Sequence, residues 1–188
     1  MAASPPPPSR YAETKGIALL GALLATVAAD PALGETLVFK GGTALKRLYF
    51  GDAYRFSEDL DFSAIDAPRG GVLAEALDRA RASAVDTLGA EGPFAETLEP
   101  LRVRDKHPGG QDAVVVRFRF PWHREALCPI KVEVTHDELV LLPPVRRPIL
   151  PGSGLGPAGS LRVLSLTSGS PRSSIPESAI PKCDANRK

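Results

Sequence analysis

The sequence predicts an α/β (α+β) domain, a mixed β-sheet flanked by helices. Three observations carry this. Two segments, Tyr11 to Ala29 and Gly71 to Leu88, repeat apolar residues at helical spacing. Short apolar runs between and after them alternate at every second residue, as half-buried strands do. Proline, which breaks helix interiors and cannot donate to a sheet ladder, collects at the two ends of the chain. The 188 residues suit one domain with a substantial core. With 23 Lys+Arg against 22 Asp+Glu, the chain is not a generally basic nucleic-acid binder, so any such contact needs a local patch. Two cysteines make no disulfide framework and show no zinc spacing, which points to a reducing, cytoplasmic setting. The longest apolar run, Ile17 to Ala29, is too short to span a bilayer. The uncharged leader Met1 to Ser9 is a poor signal peptide.

The elements follow in order. Residues 1–10, with Pro5 to Pro8, read as an extended, disordered leader. In Tyr11 to Ala29, Ile17, Leu20, Leu24 and Val27 share a helical face, and Asp30-Pro31 ends the helix. Leu37 to Phe39 is a short strand stopped by Gly41-Gly42, and Thr43 to Phe50 a helix with Thr43 as N-cap. Leu60 to Phe62 is a second strand. Gly71 to Leu88 places Leu73, Leu77, Ala80, Ala84 and Leu88 on one helical face. Leu98 to Arg104, Ala113 to Phe120 and Ile130 to Thr135 complete the strands, which closes the domain at 11–150. From Pro143 onward prolines recur, and Gly and Ser fill the gaps. Residues 151–188 therefore read as a low-complexity, disordered tail.

The chemistry concentrates in three places. Phe39-Lys40-Gly41-Gly42-Thr43 runs from strand through two glycines into a helix, an arrangement that lets backbone N–H groups approach a phosphate closely. Asp59 and Asp61 then lie two apart on a short strand, ~7 Å along the backbone and on one side, a spacing at which carboxylates can share hard cations. Lys131-Val132-Glu133-Val134 supplies a third carboxylate, with Lys131 and Glu133 on one face and the valines on the other. Glu133 could complete a metal cage and Lys131 meet a phosphate as a point charge. Taken singly, each has an ordinary structural reading: a turn into a helix, a solvated strand face, an amphipathic strand. Together and in this order they point to a metal–nucleotide site.

The order Gly-Gly-Thr, a helix, Arg-Phe-Ser-x-Asp-Leu-Asp-Phe and Lys-Val-Glu-Val resembles the DNA polymerase β-like nucleotidyltransferases, and more narrowly the AbiEii/AbiGii toxin family of type IV-style toxin–antitoxin systems. The likeness covers about 35–140. It implies a nucleotidyltransferase-like fold and a Mg²⁺-dependent enzyme, with two ions, that transfers NMP from an NTP to an acceptor. Related toxins act on the tRNA acceptor end, so tRNA or another RNA and a cognate antitoxin are the implied partners. By position, Gly41, Gly42 and Thr43 carry over to triphosphate binding. Asp59, Asp61 and Glu133 carry over to metal and catalysis, Glu133 standing where Asp is common. Ser57 matches a motif serine that lines the nucleotide pocket. Arg55 binds phosphate or pairs with Glu58 or Asp59.

The family also has a downstream helix of Glu-Lys-Leu character, and nothing after Glu133 supplies it. Residues 168–175, written with suitable synonymous codons and read one base earlier, give Glu-Arg-Leu-Ala-Glu-Lys-Leu-His, so a shifted reading frame near residue 167 is the expectation there. The alternative function is accordingly a catalytically inactive, truncated remnant that binds nucleotide or antitoxin. A metal-dependent nuclease using the same carboxylates is a weaker rival. Smaller signals are His136-Asp137, a weak metal-hydrolase hint, and Trp122, a packing aromatic. Arg102, Arg104, Arg117, Arg119 and Arg124 read either as a basic track for RNA phosphates or as solvated strand faces.

Overall fold

The computed structural model describes residues 8–50, 59–103, 108–121, 123, 127–149 and 159–165, with side chains described from residue 18. Helices α1 (Pro8–Ala29) and α2 (Pro31–Gly34) lead into β1 (Leu37–Lys40) and α3 (Gly41–Leu45), which continues as a π-helical turn over Lys46–Phe50. Then come β2 (Leu60–Ala64), α4 (Gly70–Leu88), β3 (Ala95–Pro100), β4 (Gln111–Arg119), β5 (Cys128–Thr135), β6 (Val145–Pro148) and β7 (Ser160–Val163). These seven strands of the described residues form one mixed sheet in the order β3-β4-β5-β2-β1-β7-β6. β2 runs parallel to β5 and β1 parallel to β7, and the other neighbours are antiparallel.

The register sorts every strand into two faces. Phe39, Phe62, Val134 and Val132 point to one side with Val114, Val116 and Phe118, and α1, α3 and α4 pack there to make the core. The opposite face carries Lys40, Asp61, Glu133, Lys131 and Arg117. Alternation therefore sets the polar site on one side of the sheet and the hydrophobic core on the other.

Helix α4 buries Leu73, Ala76, Leu77, Ala80 and Ala84, the face its periodicity predicts, while Leu88 is only half-buried. Helix α1 departs from a one-stripe reading. Leu19, Leu20, Ala22, Leu23, Leu24 and Val27 are all buried, because α1 is covered by α4 and by β7. Small residues let the helices approach, and the Thr26 hydroxyl donates to the Ala80 carbonyl at 2.8 Å across the contact. Pro8, expected within the extended leader, opens α1, where its missing N–H costs nothing. Asp30 accepts from the backbone N–H groups of Ala32 and Leu33 and so caps α2.

Two strands fall where composition predicts irregular chain. β7 pairs with β1 in the interior of the sheet and buries Leu161 and Val163, and β6 pairs with β7 as an edge. Each is four residues long and bounded by Pro or Gly, too short for alternation to register. Long-range pairing with β1, rather than local propensity, specifies them. The rest of 150–158 and all of 166–188, including the expected frame-shifted stretch, lie outside the described residues. Truncating Leu161 to Ala is expected to destabilise the protein by about 2–5 kcal/mol, the usual loss for a buried leucine. Urea denaturation checks this; a loss below about 0.5 kcal/mol would remove β7 from the cooperative sheet.

Candidate active site

The site is built around Asp61. Its antiparallel neighbour on β1 is Lys40, and its parallel neighbour on β5 is Glu133. Gly41 follows Lys40 with φ +77°, and a Cβ placed on it would stand 2.5 Å from the Asp61 Oδ2. The paired-glycine bend and the aspartate are thus in direct contact, and only glycine fits both the backbone angle and the space. Asp59 lies just before β2 and is exposed.

Thr43 behaves differently from its expected N-cap role. The positive φ of Gly41 lets α3 begin two residues earlier, so Lys40 occupies the cap position, without a side-chain cap bond. Thr43 is buried inside the helix, and its hydroxyl donates to the Asp59 carbonyl at 2.6 Å. It thereby ties α3 to the segment that carries the acids.

The charges are strongly coupled. Burial, then the neighbouring Glu133 and Asp59 carboxylates, push the Asp61 carboxyl above the ordinary aspartate range, while Lys40 and Lys131 pull it back. Lys131 binds Glu133 at 2.9 Å, and this bond holds the Lys131 ammonium above its usual value. The Glu138 carboxylate accepts from both the Lys40 ammonium and the buried Ser63 hydroxyl. Since Ser63 and Lys40 share the face of Asp61, the connection from β5 to β6 crosses the sheet beside the site.

The structure therefore brings together Asp61, Glu133, Lys131 and Gly41, four of the residues expected from the sequence, while Asp59, just before β2, stands within electrostatic reach of Asp61. Gly42 sits in the first turn of α3. Arg55 and Ser57 lie outside the described residues. Lys40, Ser63 and Glu138 were not among the expected site residues. For Lys40 the signal was available, because a strand ending at Gly41 sends Lys40 to the face opposite Phe39.

Among the described residues no group of three His, Cys, Asp or Glu side chains is placed to hold a metal ion. The donor chemistry nonetheless fits a hard divalent cation. Asp61 and Glu133 offer oxygen donors on neighbouring strands, Asp59 is within electrostatic reach, and the repulsion that lifts Asp61 is of the kind a cation relieves. His136 and Asp137 have other employment. His136 is buried and bonded to Asp112 at 2.9 Å, Asp112 also accepts from Gly70 N, and Asp137 pairs with Arg69. These contacts fasten the start of α4 to the end of the sheet. Arg104, His107, Trp122 and Arg124 lie outside the described residues.

A pH dependence follows from Asp61. A carboxyl held above its unfolded value of 3.8 binds its proton more tightly in the folded state, so its contribution is full below that value and is lost as pH rises through the folded value. The difference in melting temperature between wild type and Asp61→Asn, without divalent cation, is expected to widen in favour of the variant as pH rises from about 4 to neutrality. A difference that is flat with pH would contradict the coupling.

Among the described residues no helix is long and apolar enough to cross a membrane. The profile of the AbiEii nucleotidyl transferase toxin, of the type IV toxin–antitoxin system, matches residues 22–168. Among solved structures the chain is similar to MenT4, a nucleotidyltransferase toxin from Mycobacterium tuberculosis, at 22% identity and a TM-score of 0.49. That match covers 85% of this chain and 52% of the other, so this chain spans about half the length of MenT4. No curated protein matches the chain.

Proposed function

The chain belongs to the AbiEii nucleotidyltransferase toxin family, and from that membership and the geometry around Asp61 we propose that it transfers NMP from an NTP to an RNA acceptor, with tRNA the first candidate. The observation that supports this best is the convergence of Asp61, Glu133 and the Gly41 bend. In this reading Asp59, Asp61 and Glu133 hold Mg²⁺, as a pair of ions. Bound there, Mg²⁺ supplies charge neutralisation at the transferring phosphoryl group.

The chain's own residues do the rest. The backbone N–H groups of Gly41 and Gly42 receive phosphate oxygens, and Gly41 leaves the space they need. Lys40 and Lys131 exchange their carboxylate partners for phosphate. Thr43 fixes Asp59 through its carbonyl. The acceptor hydroxyl attacks the α-phosphorus in line, its proton passes to a carboxylate of this group, and pyrophosphate leaves over the glycine bend. A cytoplasmic location and a cognate antitoxin complete the proposal.

The test is transfer of label from an α-phosphate-labelled NTP to RNA with Mg²⁺. Wild type is expected to label RNA, and Asp59→Asn to lose this while its melting curve is retained. Wild-type transfer no better than that of Asp59→Asn, with Mg–NTP binding preserved, would select an inactive nucleotide-binding remnant instead. RNA cleavage without any NTP would select a nuclease.

A further inference from the structure

We propose that Lys131, Arg117 and Arg119 form a track along β5 and β4 that holds the sugar-phosphate backbone of a single-stranded polynucleotide and leads its end to Asp61 and Glu133. This rests on reading those carboxylates as the transfer site.

The register places the basic groups in sequence. Glu133 lies opposite Ala113, Lys131 opposite Val115, and Pro129 opposite Arg117, all on the face of Asp61. Arg119 follows two residues further along β4, on the same face. From the carboxylates outward the cations therefore recur at steps of ~6.7 Å, two residues of strand at a time, comparable with the separation of successive phosphates in an extended single strand. Helices α1, α3 and α4 pack on the other face, so no described helix covers the track. The chain as a whole carries a net charge of only +1. A local row of cations on one strand face is thus what distinguishes this surface.

The groups differ in readiness. Lys131 and Arg117 are partly exposed, at 38% and 41%, and each holds one acid in a contact open to water: Glu133 at 2.9 Å and Glu99 at 3.5 Å. Such pairs are weak in water and yield to a phosphate. Arg119 is partly exposed, and its Nε is buried and, among the described residues, has no hydrogen-bond partner. A buried donor left unpaired is costly, and a guanidinium is suited to a phosphate by its planar fork of donors. A polynucleotide fits better than an acidic protein because the cations form a single-file row at backbone spacing, which leads to the transfer site.

The experiment is fluorescence anisotropy of a short labelled single-stranded RNA, without NTP, over a salt series. Log affinity falls linearly with log salt, with a slope of about −0.7 for each phosphate held by a cation on a single strand. Arg119→Met keeps the apolar stem and removes the unpaired donor, so its melting temperature is expected not to fall. Its slope is expected to be shallower by about 0.7, so that raising salt from about 50 to about 200 mM costs it roughly threefold less affinity than it costs wild type. Arg117→Met with Arg119→Met is expected to double that change, and Arg119→Lys to restore the wild-type slope. Arg79→Met, on α4 across the sheet from the track, is expected to bind RNA with the wild-type slope. If these slopes are found but wild type shows no NTP transfer, the proposed function fails and the track stands. Unchanged slopes in the Met variants would overturn the track, as would polyglutamate binding as tightly as RNA. An equal change of slope in Arg79→Met would make the effect one of net charge rather than of place and would also overturn it.

Discussion

Replacing Asp61 by Asn is expected to lower nucleotidyl transfer by at least about 10³-fold while the protein stays folded. Among the described residues Asp61 is the one acid with both a cation and an acid as direct strand neighbours, Lys40 and Glu133. Asparagine keeps the size, the strand and the contact with Gly41 but removes the charge. In the resting protein that charge is opposed by burial and by two other carboxylates, so its loss leaves the fold intact. Under the proposed function it is an oxygen donor to the cation. Single-turnover transfer and thermal melting separate the two effects. Transfer within tenfold of wild type would take Asp61 out of the chemistry.

The second large effect is expected at Gly41. Gly41→Ala forces a side chain into φ +77° and a Cβ to 2.5 Å from the Asp61 carboxylate, with the Asp61 Cβ and Cγ at 3.3 Å. The left-handed angle alone costs about 1–2 kcal/mol. The carboxylate must also move, and displacement of about 1 Å at a reacting centre can cost about 10²-fold in rate. Gly41→Ala is therefore expected to lose about 1–2 kcal/mol of stability and about 10²-fold in transfer. Gly71→Ala is the contrast. It sits in α4 with nothing within 4 Å of the added carbon, and is expected to stabilise slightly. Equal behaviour of the two variants, in urea denaturation and in transfer, would break the link between the bend and the acid.

Much of the site was legible in the sequence because strand alternation is rigid. Asp61 and Glu133 had to face away from Phe62 and Val134 once those were assigned to the core, and a glycine pair after Phe39 had to be a bend. What alternation does not encode is which strands become neighbours. The pairing of β2 with β5 sets Asp61 beside Glu133, and nothing within either segment states it. The same gap hid β7, whose four residues gain their meaning only beside β1. It also hid Glu138, which reaches Lys40 and Ser63 because the β5–β6 connection crosses the sheet. Thr43 departs from the cap role its type suits for a local reason: the freedom of Gly41 moves the helix start ahead of it.

The most direct measurement is the anomalous scattering of Mn²⁺ in crystals grown with a non-hydrolysable NTP. The account predicts a peak bound to carboxylate oxygens of both Asp61 and Glu133, at about the 2.1 Å of a Mg²⁺–oxygen bond, with the triphosphate against Gly41 and Gly42. A nucleotide and metal bound elsewhere, with Asp61 left among its lysines, would contradict it.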